Sequence, residues 1–217
     1  MSPRSTGFDL AVVGAGIVGL AHALAAARRG LRVVVIERHT RAVGASIRNF
    51  GFVTVTGQAA GVTWERARRS AAAWREVAPQ AGIAVLHEGL VLSAHSREAL
   101  AVVEAFLATP MGRGCRLLTP AAALDRFPAL QPVDLRGALW SPHEARVEPR
   151  EALPRLAAWL EAAHGVTFRW STQVHAIELP HLVTTQGRLE AGACIVCPGE
   201  DFQTLYPLRI AAYGPTA

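Results

Sequence analysis

The fold is decided near the start of the chain, by the stretch Phe8–Glu37, which reads FDLAVVGAGIVGLAHALAAARRGLRVVVIE. The apolar run Phe8–Val13 predicts a strand buried on both faces. A G-x-G-x-x-G pattern follows at Gly14–Gly19, and then an Ala- and Leu-rich stretch that predicts a helix. The run Leu31–Ile36 predicts a second strand, which ends at Glu37. Strand, glycine turn, helix and strand together predict the βαβ unit of a dinucleotide-binding domain.

Each position of the glycine motif has a physical role in such a unit. Gly14 permits the tight turn, Gly16 lets the backbone approach a pyrophosphate, and Gly19 allows close packing of helix and strand. Glu37, 18 residues after Gly19, can accept hydrogen bonds from both hydroxyls of an adenosine ribose, and its charge disfavours the 2′-phosphate of NADP. The unit does not separate FAD from NAD, since both contain an ADP half. The candidate cofactor-binding residues here are Gly14, Gly16, Ile17, Val18, Gly19, Glu37 and Arg38.

Composition and charge exclude several classes of protein. The chain has 217 residues, 51% hydrophobic and 18% charged, which excludes a disordered chain. Three cysteines do not support a disulfide scaffold and favour a reduced, cytoplasmic compartment. The net charge of +5 comes from scattered arginines that form no continuous basic stripe, so we expect no nucleic-acid partner. The apolar stretch Leu10–Ala27 is interrupted by glycines and His22, so we expect no membrane span.

The loop after the second predicted strand departs from a plain NAD-binding domain, in which another helix and a third parallel strand would follow. Residues 44–52 read GASIRNFGF, a glycine-punctuated stretch that can lie along an extended dinucleotide. On these residues and the glycine motif, the chain resembles the FAD-dependent oxidoreductases of the D-amino acid oxidase type, the glycine and sarcosine oxidase group. The loop is particularly similar to that of a bacterial subgroup of amine oxidases whose genes are sometimes associated with phosphonate breakdown.

The resemblance implies a set of further cofactor contacts. Ala45 and Ser46 match positions that line the pyrophosphate, and the next residues of the loop match a stretch that runs toward the isoalloxazine ring. The strand at residues 174–177 matches one whose backbone meets the adenine, and the late Pro198-Gly199 matches a strand end beside the cofactor. The residues implied are Ala45, Ser46, Arg48, Asn49, Val174, Cys197, Pro198 and Gly199.

Arg48 is the candidate catalytic residue. A guanidinium in this loop can clamp a substrate carboxylate or stabilise a reduced, anionic flavin. Pairing of Arg48 with the pyrophosphate or with a neighbouring acid is an equally good interpretation. The sequence does not decide between these roles.

The fold class implied is α/β, a Rossmann-like FAD-binding domain interrupted by an α+β substrate domain and incomplete at the C-terminus. We expect residues 1–82 to be the first part of the FAD-binding domain and residues 83–140 a partial substrate-domain insertion. Residues 141–217 are expected to be the second part of the FAD-binding domain, with the start of a return to the substrate domain. Members of the family continue beyond the position that corresponds to the strand-like segment Arg209–Tyr213. The portion that follows supplies an arginine that binds the substrate carboxylate. The chain is therefore expected to be a fragment or a natural truncation.

The function implied is oxidation of the C–N bond of a small amine or amino acid, including aminophosphonate-like compounds. Hydride transfer to N5 of a non-covalently bound FAD would give an imine and, with oxygen, hydrogen peroxide. Two alternatives stay open at this point: an NAD-dependent dehydrogenase, and a truncated, non-catalytic dinucleotide-binding remnant.

Between the two cofactor-binding stretches, the patterns predict helices and strands in alternation. Cys194 and Cys197 lie on opposite faces of a predicted strand, so we expect no metal site there. For His143 and Glu144, a surface ion pair is the simpler interpretation. Helices are predicted at Val62–Pro79, Ser96–Leu107, Leu118–Phe127 and Arg150–His164, and strands at 83–92 around a turn at Gly89, 137–147, 166–170, 173–179, 181–185 and 188–197.

Overall fold

The computed structural model describes residues 7–201 and residue 205. Its strands are β1 (Phe8–Val13), β2 (Val33–Ile36), β3 (Phe52–Val53), β4 (Val85–Ala94), β5 (Arg116–Leu118), β6 (Gly137–Val147), β7 (Thr167–Arg169), β8 (Val174–Glu178), β9 (His181–Thr184) and β10 (Gly187–Val196). Its helices are α1 (Ile17–Ala27), α2 (Val62–Gln80), α3 (Arg97–Leu107), α4 (Pro120–Arg126) and α5 (Pro149–His164). The strand predicted at Arg209–Tyr213 lies outside the described residues.

These elements form two compact units. Unit 1 combines the chain up to Asn49 with the chain from Pro149 onward, and unit 2 is the segment Phe50–Glu148. This division differs from the domain boundaries predicted after residues 82 and 140. The reason is that α2 packs on β3 and β6, so this helix and the end of β6 belong with unit 2.

Unit 1 is built on a six-stranded sheet in the order β7-β2-β1-β10-β9-β8. β7, β2, β1 and the second half of β10 run parallel, whereas the first half of β10 pairs with β9, and β9 with β8, in an antiparallel meander. Val174 and Leu182 of the meander pack against Ala11 and Val34 of the parallel strands. α1 packs on β1 and β2 and contacts α5. The Rossmann-like α/β arrangement predicted from the first strand, glycine turn and helix is confirmed.

In unit 2, β6 is the central strand of a four-stranded antiparallel sheet. β4 pairs along one edge of β6, and β3 and β5 pair with the other. The turn predicted at Gly89 is absent, because β4 continues through this glycine with a shift of register. Gly89 has a φ of +83°, and a Cβ there would lie 2.9 Å from the carbonyl oxygen of Ser141. Glycine is therefore required at a bulge of one strand, not at a turn between two strands.

The helix starts of unit 2 show the capping chemistry that the sequence contains. The Ser96 hydroxyl accepts a hydrogen bond from the Ala99 N–H at 3.1 Å at the start of α3. The Thr119 hydroxyl accepts one from the Ala122 N–H at 3.3 Å at the start of α4, where Pro120 occupies the first helical position.

Among residues 7–201, no helix combines the length and apolar character needed to cross a membrane.

Candidate cofactor site

The carboxyl ends of three parallel strands meet at one edge of the unit 1 sheet. Val13, the last residue of β1, pairs with Ile36 of β2 and with Val196 of β10. The Gly14 N–H donates to the Ile36 carbonyl at 2.8 Å, and the Cys197 N–H donates to the Val13 carbonyl at 2.8 Å. Because the three strands end in register, the turns that follow them face the same space. In parallel α/β sheets this edge is where ligands bind.

The glycine motif after β1 is too crowded for side chains at two of its three glycine positions. Gly14 has a φ of +104°, and a Cβ there would lie 2.3 Å from the Cys197 carbonyl oxygen. A Cβ on Gly19 would lie 1.9 Å from the Gly14 carbonyl oxygen. The predicted roles of these two glycines in the turn and in helix packing therefore have a direct geometric basis.

Helix α1 begins at the same edge of the sheet, directly after the glycine turn. Gly16 is the N-cap residue and offers no side-chain acceptor. The Ile17 N–H instead donates to the hydroxyl of Ser46 at 3.1 Å, from the loop after β2. Gly44 and Gly199, on the flanking loops, have open space where a Cβ would stand. A helix N-terminus with glycine on its flanks suits the diphosphate of a dinucleotide, so the residues present fit such a cofactor.

Glu37 presents its carboxylate at the end of β2. One carboxylate oxygen accepts from the Ala15 N–H at 2.9 Å, and the other accepts from the His39 N–H at 3.0 Å. Each oxygen of an ionised carboxylate has capacity for a second hydrogen bond. The two backbone contacts fix the orientation of Glu37 and leave acceptors for ribose hydroxyls, as the spacing from the glycine motif predicts.

A cavity of about 310 Å³ lies at this edge, a size in the range of small-molecule sites. Most of the predicted cofactor residues line it, namely Gly14, Gly16, Glu37, Arg38, Ala45, Ser46, Arg48, Val174, Cys197, Pro198 and Gly199. Four predicted residues are not among its lining residues: Ile17, Val18, Gly19 and Asn49. Sequence reasoning missed other lining residues, including His39, Gly44, Thr172, Gln173, Glu200 and Asp201. Only the last two carried a usable signal, since they are charged and directly follow Pro198-Gly199.

Arg48 and Asn49 have separate roles in the loop after β2. The Asn49 side-chain amide donates to the carbonyls of Ala45 and Ser46, both at 3.0 Å, and so closes the short 3-10 turn Ala45–Ile47. Arg48 lies 3.7 Å from a carboxylate oxygen of Glu200, with both side chains about 60% exposed. In this structure Arg48 therefore pairs with a neighbouring acid, one of the interpretations that the sequence left open. Its catalytic role stays a prediction.

The C-x-x-C pair has the character of inert thiols. Cys194 and Cys197 are not joined by a disulfide. Burial, with a smaller contribution from Cys197, raises the pKa of the Cys194 thiol to about 11, and burial also raises the pKa of the Cys197 thiol. Both thiols are neutral at pH 7 and are poor nucleophiles. Within the described part of the chain, no cluster of His, Cys, Asp and Glu could hold a metal ion.

Replacing Ser46 with alanine is expected to lower the free energy of unfolding by about 1 kcal/mol, the usual loss for a missing helix cap. The Ile17 N–H would lose the hydroxyl that it meets at 3.1 Å. Urea denaturation of the two proteins measures this difference. Ser70→Ala, at an exposed position of α2, is the control and is expected to change stability by less than about 0.5 kcal/mol. Equal effects of the two substitutions would show that Ser46 does not cap α1.

Comparison with known proteins shows the family of the chain. Residues 9–211 match the sequence model of the family described as FAD dependent oxidoreductase, and the chain belongs to this family. The cofactor of the family is FAD, which decides between the two dinucleotides that the glycine motif alone left open. No curated protein matches the chain.

Solved structures of amino-acid oxidoreductases share the fold. Glycine oxidase from Geobacillus kaustophilus is 26% identical with a TM-score of 0.73, over 88% of this chain and 55% of that one. L-amino acid deaminase from Proteus vulgaris is 21% identical with a TM-score of 0.77, over 91% and 48%. L-proline dehydrogenase from P. horikoshii is 22% identical with a TM-score of 0.75, over 88% and 53%. The chain spans about half the length of these structures.

Proposed function

We propose that unit 1 binds FAD non-covalently and that the chain is part of an enzyme that oxidises the C–N bond of a small amine or amino acid. The observation that carries this proposal is the meeting of the α1 N-terminus, the Glu37 carboxylate and the turn after β10 around one cavity. The family to which the chain belongs supports the choice of FAD.

Different residues around the cavity would bind different parts of FAD. The glycine turn and the N-terminus of α1, with Ala45 and Ser46, would hold the diphosphate, because the positive end of a helix favours negative charge. Glu37 would accept hydrogen bonds from the ribose hydroxyls. The backbone of Val174, a buried residue at the cavity wall, would meet the adenine, and the turn Cys197–Gly199 would lie beside the extended cofactor.

The state of the cysteines supports non-covalent binding. Cys197 lines the cavity, and burial raises the pKa of its thiol. A neutral thiol does not attack a flavin readily, because the thiolate is the nucleophile. Cys115, Cys194 and Cys197 are all free, which supports the proposal of a reduced, cytoplasmic compartment.

The substrate class is inferred from the chemistry of the family. When bound, FAD would supply N5 as the hydride acceptor for oxidation of the carbon that bears the amine, with an imine as the product, and oxygen as the final acceptor would yield hydrogen peroxide. Unit 2 would form part of the substrate domain. Arg48 could clamp the carboxylate or another acidic group of the substrate, including that of an aminophosphonate-like compound.

The test is the visible absorption spectrum of the purified protein, before and after heat release of any chromophore, followed by titration of the apoprotein with FAD. We expect flavin bands that move into the supernatant. Glu37→Gln is expected to weaken FAD binding about tenfold or more, because an acceptor of charge-assisted hydrogen bonds is lost. Anaerobic bleaching by small amines and amino acids, and peroxide formation in air, then measure the reaction.

The control for Glu37 is Glu178→Gln, which removes a carboxylate from an exposed position of β8 in the same unit. Its FAD affinity should equal that of the unchanged protein. A protein that shows no flavin bands and does not bind added FAD would contradict the proposal. Binding of FAD without bleaching by any amine, when the chain is tested within the complete enzyme, would retain the cofactor assignment and overturn the amine oxidation.

A further inference from the structure

The turn after β10 contains two adjacent acids, each of which pairs with an arginine from the loop after β2. The Arg38 guanidinium donates to the Asp201 carboxylate, and Arg48 lies 3.7 Å from Glu200. All four residues line the cavity. The two ion pairs thus connect the turn after β10 to both ends of the loop after β2.

The two pairs differ in strength because they differ in exposure. The Asp201 side chain is 18% exposed and the Arg38 side chain 42%, and the Asp201 N–H is fixed by the Pro198 carbonyl at 3.2 Å. The pair of Arg48 and Glu200 is long and largely exposed. Exposed ion pairs of this kind contribute little, whereas a shielded, hydrogen-bonded pair contributes more. Asp201 therefore forms the stronger of the two ion pairs.

Asp201 determines where the charge of Arg38 lies. Arg38 directly follows Glu37, and a free guanidinium there could fold back onto the Glu37 carboxylate and occupy its acceptors. Instead, Arg38 donates through Nη1 to Asp201 and through Nε to His39 Nε2 at 3.2 Å. The contacts described for the Glu37 carboxylate are with two backbone N–H groups. The Arg38 guanidinium is thus held by Asp201 and His39 and has no described contact with the Glu37 carboxylate.

From this geometry we propose that Asp201 is a positioning residue for FAD, which acts through Arg38 and keeps the Glu37 carboxylate available to the ribose. The proposal rests on the proposed binding of FAD to unit 1. It assigns a role in cofactor retention to a residue 163 positions away from Arg38 in sequence. The neighbouring Glu200 has no such role, because its pair with Arg48 is exposed.

The test is a double-mutant cycle on FAD affinity, with the dissociation constant and the FAD release rate measured by flavin fluorescence. Asp201→Asn is expected to weaken FAD binding about tenfold, mainly through faster release, because a charge-assisted hydrogen bond is lost. Asp201→Glu should restore most of the affinity. In an Arg38→Gln background, Asp201→Asn should have almost no further effect, because residues that act through one contact are not additive.

Two control variants separate this role from a general loss of charge or stability. Asp9→Asn removes the Asp9–Arg32 ion pair (2.9 Å) in the same unit, away from the lining residues, and should leave FAD affinity unchanged. Glu178→Gln, at an exposed position of β8 and not among the lining residues, should also leave FAD affinity unchanged. Equal affinities of Asp201→Asn and Asp9→Asn, or additive effects of the Asp201 and Arg38 substitutions, would overturn the proposal. Absence of FAD binding by the unchanged protein would overturn the proposed function as well, so the two failures are distinguishable.

Discussion

Gly19→Ala is expected to lower the free energy of unfolding by about 3 kcal/mol, near the upper end of overpacking costs, and to weaken FAD binding at least about tenfold. A Cβ on Gly19 would stand 1.9 Å from the Gly14 carbonyl oxygen, and neither group is a flexible side chain. α1 would have to move away from β1, which would displace the backbone donors at its N-terminus. The loss would occur although alanine is intrinsically better than glycine in a helix by about 1 kcal/mol.

Urea denaturation and FAD titration measure the two effects of this substitution. Gly44→Ala is the matched control for stability, because Gly44 has a φ of −81° and no atom within 4 Å of the added Cβ. It is expected to change stability by less than about 0.5 kcal/mol. A Gly19→Ala protein as stable as Gly44→Ala would show that helix and strand do not pack as closely as described.

Glu144→Ala is expected to destabilise unit 2 by about 3 kcal/mol, because it leaves buried backbone donors without an acceptor. The Glu144 side chain is only 6% exposed. One of its carboxylate oxygens accepts from the N–H groups of Thr56 at 2.6 Å and Val55 at 3.3 Å. The segment after β3 is thus held to β6 by a buried acid, which differs from the surface ion pair with His143 expected from sequence.

The effect of Glu144 depends on pH in a definite direction. Burial alone would raise its pKa, but hydrogen bonds from Ser141, Thr56 and Val55 outweigh it and hold the pKa below the ordinary value of 4.5. A carboxyl group whose pKa is lower in the folded state stabilises the fold above its unfolded pKa. That stabilisation is lost as the pH falls through the folded pKa. The stability difference between the unchanged protein and Glu144→Gln should therefore shrink below about pH 4.

Unfolding in urea at pH 7 and at about pH 3 measures this change. Glu88→Gln, at an exposed position of β4, is the control and should show little stability difference at either pH. A difference between the unchanged protein and Glu144→Gln that grows in acid would mean that the pKa of Glu144 is raised on folding. It would contradict the network described here.

The sequence allowed the strand, glycine turn and helix at the sheet edge of unit 1 to be predicted, because the determinants of these elements are local. The strand, the glycine motif and the helix lie within one continuous stretch, and Glu37 ends the next strand. The contact of Ser46 with the Ile17 N–H joins residues 29 positions apart, and only the family resemblance placed Ser46 at the diphosphate. The pairing of Arg38 with Asp201 could not be predicted, because no local pattern relates two oppositely charged residues so far apart.

Unit 2 shows a second limit of prediction from sequence. The helical pattern at Val62–Pro79 predicted α2 correctly, yet periodicity does not indicate which sheet a helix covers. The helix packs against Val53 and Val55, so the first boundary between the units lies at Phe50 and not after residue 82. In the same way, Gly89 indicates from the sequence that the backbone is irregular at this position. Whether this is a turn or a bulge depends on the distant Ser141 carbonyl.

The two chain ends of unit 2 are joined by a backbone hydrogen bond, from the Val147 N–H to the Gly51 carbonyl at 3.0 Å. Once unit 2 has folded, the two parts of unit 1 are therefore connected by what is effectively a short loop, although about a hundred residues separate them in sequence. Loop-closure entropy rises with the length of the flexible segment. Prior folding of unit 2 thus lowers the entropic cost of bringing β10 back to β1. Assembly of the cavity at the ends of β1 and β10, which needs both strands, is expected to follow the folding of unit 2.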